Sequence, residues 1–277
     1  MRIHFTKMHG LGNDFIVIDA INQNIDLTTE QIHFMADRHF GIGCDQLLLV
    51  ESSQQTGVDF HYRIFNADGS EVEQCGNGAR CFARFVKDHH LIDKNDIMVS
   101  TTSGLLKLHI EADEQVTVNM GLARFEPEQI PFKASGSSDR YFLNLEDQHI
   151  EIGVVSLGNP HAVLQVDDVA TAEVHKLGMA IESHPQFPDR VNVGFMEVVT
   201  RNYIRLRVFE RGSGETLACG SGACAAVAIG QRQGVIDQDV TVELPGGTLK
   251  ICWTGEENEP IWMTGPTNTV YEGDIEL

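Results

Sequence analysis

The sequence predicts an α/β (α+β) protein of two pseudo-symmetric halves, each a mixed, largely antiparallel β-sheet wrapped around one central buried helix. Three observations lead there. The region around Cys75 is repeated around Cys219. Each cysteine opens a segment that is apolar on almost every side, as a buried helix is. The stretches between them alternate polar and apolar residues or form short aliphatic blocks, as strands do.

The repeat is ungapped where it is strongest. Arg63 to Ala79 lies over Arg207 to Ala223, with identities at Arg63/Arg207, Phe65/Phe209, Glu71/Glu215, Cys75/Cys219, Gly76/Gly220, Gly78/Gly222 and Ala79/Ala223. Upstream, Leu11-Gly12-Asn13 matches Leu157-Gly158-Asn159; Gln46 then meets Asn192, and Glu51 meets Glu197. Common ancestry of the halves follows.

Taken in chain order, Phe15–Ile18 reads as a strand. Thr28-Thr-Glu-Gln31 is a capping box that opens a helix running to about Arg38. Leu47–Val50 and His61–Phe65 are strands. Ala79–Val86 is the first buried helix, and Gln115–Val118 another strand. The change of half is expected near Met120-Gly121, and the last dozen residues are expected to return to the first half. This gives 1–120 plus 266–277 for the first and 121–265 for the second. In the second half, Val154–Leu157, Tyr203–Phe209 and Val240–Leu244 read as strands, Val169–Ile181 as a surface helix and Ala223–Ile229 as the second buried helix.

Bulk properties narrow the function. A formal net charge of -20 over 277 residues repels nucleic-acid phosphates and anionic lipid, so neither is an expected partner. No apolar run approaches the roughly 18 residues that a spanning helix needs. The first residues carry no apolar signal core. The expected location is the cytoplasm, where the six cysteines stay reduced. They stand at 44, 75, 81, 219, 224 and 252 without a C-x-x-C pair, and His89-His90 reads as a solvated helix end, so no metal site is expected.

Cys-Gly-Asn-Gly and Cys-Gly-Ser-Gly at helix starts have a chemical meaning. The first turn of a helix offers unpaired N–H groups and partial positive charge. Such a position binds anions and favours a thiolate. Inversion of a carbon centre needs a proton removed from one face and another delivered to the opposite face; one thiolate and one thiol do this. Cys75 and Cys219 are the candidates. The helix N-termini are candidates for stabilising charge that moves onto a substrate carboxylate. No phosphate loop, dinucleotide fingerprint or Schiff-base lysine context is present, so no cofactor is expected. Asn13, Gln46, Asn66, Asn159 and Asn192 fall at repeat-related points and suit a pocket for a small polar substrate. Arg211 suits a carboxylate, Glu210 an ammonium group, and His161 the tuning of a cysteine.

Lys7–Phe15, Asp37–Gln46, Phe65–Glu71, Gln74–Arg80, Gly158–His161, Val191–Val193, Glu210–Glu215 and Ala218–Cys224 together resemble the diaminopimelate epimerase family. The resemblance spans most of the chain. It implies the fold of that family, a homodimer, and cofactor-independent interconversion of LL- and meso-2,6-diaminopimelate on the route to lysine and peptidoglycan. By motif position it implies Cys75 and Cys219 as acid and base, with His161 and Glu210 adjusting thiol pKa values. The implied substrate ligands are Asn13, Gln46, Asn66, Gly76, Asn77, Asn159, Asn192, Glu210, Arg211, Gly220 and Ser221. Cys44 stands where the family leads one to expect a residue without a thiol, a redox liability. The alternatives are a proline or hydroxyproline racemase of the same fold, a thiol redox protein and a non-enzymatic binding protein. The asparagine set and Arg211 argue against proline, which has no distal carboxylate.

Overall fold

The computed structural model describes residues 1–72, 75–145 and 148–277. They form two compact units, Met1–Asn119 with Thr264–Leu277, and Met120–Met263. The first unit contains β1 (Arg2–Gly10), β2 (Asn13–Asp19), α1 (Thr29–Ala36), β3 (Gln46–Ser52), β4 (Phe60–Asn66), β5 (Glu71–Val72), α2 (Gly76–Asp88), β6 (Asp96–Thr101), β7 (Gly104–Ile110) and β8 (Val116–Asn119). In the second lie β9 (Tyr141–Leu145), β10 (Gln148–Ser156), β11 (Pro160–Gln165), α3 (Val174–Glu182), β12 (Asn192–Thr200), β13 (Tyr203–Glu210), β14 (Gly214–Thr216), α4 (Gly220–Arg232), β15 (Asp239–Leu244) and β16 (Gly247–Cys252). The chain passes back through β17 (Trp262–Gly265), and β18 (Asn268–Glu276) pairs antiparallel with β1.

The repeat seen in the sequence is a repeat of strand register. β2 runs parallel to β3 with Phe15 beside Gln46; β11 runs parallel to β12 with His161 beside Asn192. β3 opposes β4 with Leu47 across from Phe65, and β12 opposes β13 with Val193 across from Phe209. The short β5 sets Glu71 opposite Phe65, and β14 sets Glu215 opposite Phe209. Most other pairings are antiparallel, so the mixed, largely antiparallel sheets expected from the sequence are the ones found.

Two of the repeat identities are explained by this register. Arg63 grips Glu71 with Nε–Oε1 at 2.8 Å and Nη2–Oε2 at 3.0 Å. Arg207 grips Glu215 in the same way, at 2.6 and 2.9 Å. A bidentate guanidinium–carboxylate pair has one geometry, so it pins the hairpin that leads to each cysteine.

Strands β2 and β3 read as unbroken aliphatic runs because both their faces are covered. Ile16, Ile18, Leu47 and Leu49 pack with Ile32, Met35 and Ala36 of α1. The alternate residues face α2, where a Cβ added to Gly78 would sit 2.5 Å from Tyr62 Oη and 3.3 Å from the Phe15 ring. A Cβ added to Gly222 of α4 would meet Val208 Cγ2 at 3.1 Å, a less severe but still close contact. The second glycine of each Cys-Gly-x-Gly motif thus lets its helix approach the sheet. α4 is buried from Gly222 through Gly230. α2 is buried at Asn77–Ala83, Phe85 and Val86, and this includes Arg80, which is fully enclosed.

The Thr28–Gln31 capping box is formed, with both reciprocal hydrogen bonds. One boundary differs from expectation: α3 begins at Val174, not Val169. Val169 has its N–H bound by Glu197 Oε2 at 3.1 Å and its carbonyl by Arg207 Nη1 at 2.7 Å. Asp168 accepts from the Ala170 N–H at 2.8 Å, a turn that competes with helix at this point. Among the described residues no helix is long and apolar enough to cross a membrane.

Candidate active site

Each unit assembles a thiol site at one end of its sheet. In the first, Cys75 is the N-cap of α2, with extended backbone (φ -143°, ψ 119°), and is partly exposed. Strand pairing sets Phe15 beside Gln46 and Gln46 opposite Asn66, so the start of β2, the start of β3 and the end of β4 share one edge. Gln46 Nε2 donates to Asn66 Oδ1 at 3.0 Å, and Asn66 Nδ2 donates to Ser70 Oγ at 3.1 Å. Asn13 Oδ1 receives Asn77 Nδ2 at 3.2 Å and lies 3.7 Å from Cys75 Sγ, which donates to it. The structure therefore brings Asn13, Gly76 and Asn77 to Cys75, with Gln46 and Asn66 bound to each other at the same sheet edge. Gln74, in the motif that announces this site, lies outside the described residues.

The second unit has the same layout with different chemistry. Cys219 is the N-cap of α4 (φ -125°, ψ 108°) and is buried. Its Sγ donates to Glu210 Oε2 at 3.1 Å, and Ser221 Oγ lies at 3.7 Å. The other Glu210 oxygen, Oε1, receives Thr216 Oγ1 at 2.5 Å. Asn159 bridges from Ser221 Oγ, at 3.4 Å, to His161 Nε2, at 3.0 Å. Asn192 is buried, donating to the Pro160 carbonyl and accepting the Arg211 N–H, each at 3.0 Å.

Electrostatics differ from the simple expectation for a helix N-terminus. Burial, and then the Glu210 carboxylate beside it, push the Cys219 thiol well above its ordinary value. Ser221 and the Gly222 N–H act in the opposite direction and are outweighed. Cys219 therefore rests as a thiol hydrogen-bonded to the Glu210 carboxylate. Burial, helped by the positive charge of Arg211, lowers His161 to about 3, so its imidazole is neutral. Arg211 itself is exposed, its Nη1 donating to the Asp189 carbonyl at 3.0 Å. Cys44 is a buried core residue, and burial pushes its thiol and that of Cys81 up to about 12, away from the reactive thiolate.

Sequence reasoning missed a charged cluster under Asn13. Lys7 Nζ binds Asp14 at 2.6 Å, and Arg38 binds Asp14 at 2.7 and 2.9 Å and Asp45 at 2.7 Å. Although burial works to raise it, the hydrogen bonds from Arg38 and Lys7 hold the Asp14 carboxyl well below the usual range. Four charged residues inside or beside two of the quoted motifs were the available signal. Among the described residues no three His, Cys, Asp or Glu side chains are grouped to hold a metal ion.

The chain matches the family model described as diaminopimelate epimerase over residues 5–126 and 153–270. It is 58% identical over 278 residues to the diaminopimelate epimerase of Thioalkalivibrio sulfidiphilus (strain HL-EbGR7), covering 100% of both chains. Among solved structures, it superposes on a probable proline racemase from Agrobacterium radiobacter K84 with a TM-score of 0.73 at 14% identity, over 99% of this chain and 93% of that one. It also superposes on a PhzF-family phenazine biosynthesis protein from Bacillus anthracis with a TM-score of 0.71 at 16% identity, over 100% of each. The two structures share the fold, whereas the family model and the full-length relative give the kinship: the chain belongs to the diaminopimelate epimerase family.

Proposed function

We propose that this chain epimerises LL-2,6-diaminopimelate to the meso form, in lysine and peptidoglycan precursor synthesis, with Cys75 and Cys219 as its two acid–base groups. The observation that carries the reading is the pair of cysteines at matched helix N-caps, one of them 3.1 Å from a carboxylate. Glu210 accepts the Cys219 proton and leaves a thiolate, which removes the proton from the substrate α-carbon. The electron pair moves toward the substrate carboxylate, where the N–H groups opening α2 and α4, at Gly76, Asn77, Gly220 and Ser221, supply hydrogen bonds. Cys75 then delivers its proton to the opposite face of the carbon. The product leaves with the thiols in exchanged protonation states, which reset through solvent.

In this reading Asn13, Gln46, Asn66, Asn159, Asn192, Glu210 and Arg211 hold the substrate, with Arg211 taking the distal carboxylate. Neutral His161 orients Asn159. The halves 1–120 with 266–277 and 121–265 each supply one cysteine. The enzyme works as a cytoplasmic homodimer and uses no cofactor. Incubation of the purified protein with LL-diaminopimelate in deuterated water tests this. The expected result is meso product with deuterium at the inverted carbon and no need for added pyridoxal phosphate or metal. Turnover that required either one, or inversion that retained the original hydrogen, would overturn it.

A further inference from the structure

Around Cys75 the sense of each hydrogen bond is dictated by which groups can donate. The Asp45 carboxylate only accepts. Its Oδ2 lies 2.9 Å from one end of the Asn13 side-chain amide, so that end must be Nδ2. A guanidinium only donates. Arg80 Nη1 lies 3.0 Å from one end of the Asn77 amide, which must be Oδ1. Asn77 Nδ2 is then left to face Asn13 Oδ1 at 3.2 Å. The two amides are held in a single sense by an acceptor at one end and a donor at the other. As a result it is an oxygen of Asn13 that lies 3.7 Å from Cys75 Sγ.

Both anchors are themselves fixed. Asp45 receives Arg38 Nη2 at 2.7 Å and the Asp14 N–H at 3.1 Å. Arg80 is fully buried, and its Nε donates to the Pro266 carbonyl at 3.4 Å. Among the described residues, Tyr62 and Cys81 lie close enough to Cys75 to interact with it electrostatically. Burial pushes both up, so neither is charged at neutral pH.

We propose that Asp45 and Arg80 are positioning residues that lock the Asn13–Asn77 pair in one sense, so that an acceptor faces Cys75 and holds a proton on its sulfur before the reaction begins. This rests on the reading of Cys75 as an acid–base group. A carbonyl oxygen accepts from S–H and repels a thiolate; a reversed Asn13 would present its NH2 and favour the thiolate. The lock therefore reserves Cys75 as a proton donor, while Cys219 faces a carboxylate that can take its proton.

Site-resolved alkylation of the full-length protein tests the lock without substrate, and so separately from the epimerase reading. Iodoacetamide is applied at neutral pH and each cysteine followed by peptide mass spectrometry. Asp45→Ala should speed modification of Cys75 by about three-fold or more, because the thiolate reacts and the thiol does not. Cys219 in the same molecules should be unchanged. Asp45→Asn removes the same charge but keeps a carbonyl oxygen for Asn13 Nδ2 and the Asp14 N–H, so its Cys75 should react like that of the unsubstituted protein. Equal acceleration in both variants would assign the effect to charge and overturn the lock. An unchanged Cys75 in Asp45→Ala, or acceleration of both cysteines alike, would overturn it too. Circular dichroism checks folding, and Asp45→Leu, nearer in volume, serves if the alanine variant does not fold.

Discussion

At the end of β4 the first unit carries Asn66; the position in register at the end of β13 in the second is Glu210. Phe15 of β2 corresponds to His161 of β11, and Asn77 of α2 to Ser221 of α4. The surroundings of the two thiols have thus diverged while the backbone has not. What both halves retain is framework: the Arg–Glu grip on the hairpin, the glycine where helix meets sheet, and the cysteine at the N-cap. What differs is proton chemistry. Cys75 faces a neutral amide oxygen, Cys219 a carboxylate. A two-base inversion requires one thiol and one thiolate at any instant, so two identical environments would serve it poorly. Duplication supplied the matching geometry, and substitution at a few register-equivalent positions supplied the difference.

The largest effect should come from removing either thiol. Cys75→Ala and Cys219→Ala should each lower kcat by about 10³-fold or more, since in the proposed mechanism each removes the proton carrier for one face. Steady-state epimerisation measures this, with Cys81→Ala and Cys252→Ala as variants that lose far less. Near-normal turnover in one of the two would make the halves unequal in a way the reaction does not allow.

A smaller loss should follow from making the second site more like the first. Glu210→Gln replaces the carboxylate with an amide and leaves Cys219 no ionised acceptor. A fall in kcat of about 100-fold, with a smaller change in KM, is expected for loss of general-base assistance. An unchanged kcat would show that the Asn66/Glu210 contrast has no chemical consequence.

The gentlest change concerns His161. Its folded-state pKa is lowered to about 3 from 6.5, by burial first and Arg211 second. The unfolded chain therefore takes up a proton that the native imidazole refuses. Stability is full above the unfolded value and declines as pH falls from about 6.5 toward about 3. The steepest slope from this one group is about 1.4 kcal/mol per pH unit. His161→Phe, the residue of the first half, should flatten that part of the curve. Urea unfolding at neutral and mildly acidic pH measures the slope, and an equally steep acid loss in the variant would place its origin elsewhere.

Much of the site was legible in the sequence, because Cys-Gly-x-Gly-Ala recurs with its hairpin residues and because glycine and cysteine at a helix start have few other uses. The strands were legible because burial on both faces leaves runs such as Phe15–Ile18. The start of α3 was not. Val169 belongs to a helical pattern locally, but side chains from β12 and β13 occupy its backbone groups. The exposure of Arg211 and its hydrogen bond to the Asp189 carbonyl were not legible either, since an arginine after a strand reads the same in the sequence whether buried or exposed.

By itself, the sequence determined the repeat, the buried helices, the two cysteines at their N-caps and, through its motifs, the family. These are short-range or periodic properties, carried by residue type and spacing. Only the tertiary structure decided which way the Asn13 and Asn77 amides point, that Arg80 is buried, and that the Cys219 thiol is raised and not lowered. The reason is that an amide's sense is set by the partners at its ends, and a thiol's ionisation by the water and charge around it. Some of those partners are near in the chain, as Arg80 is to Asn77, but others are distant: Asp45 reaches Asn13 across 32 positions, and Pro266 reaches Arg80 across 186. No local pattern encodes the distant meetings, and only the folded sheet brings them together.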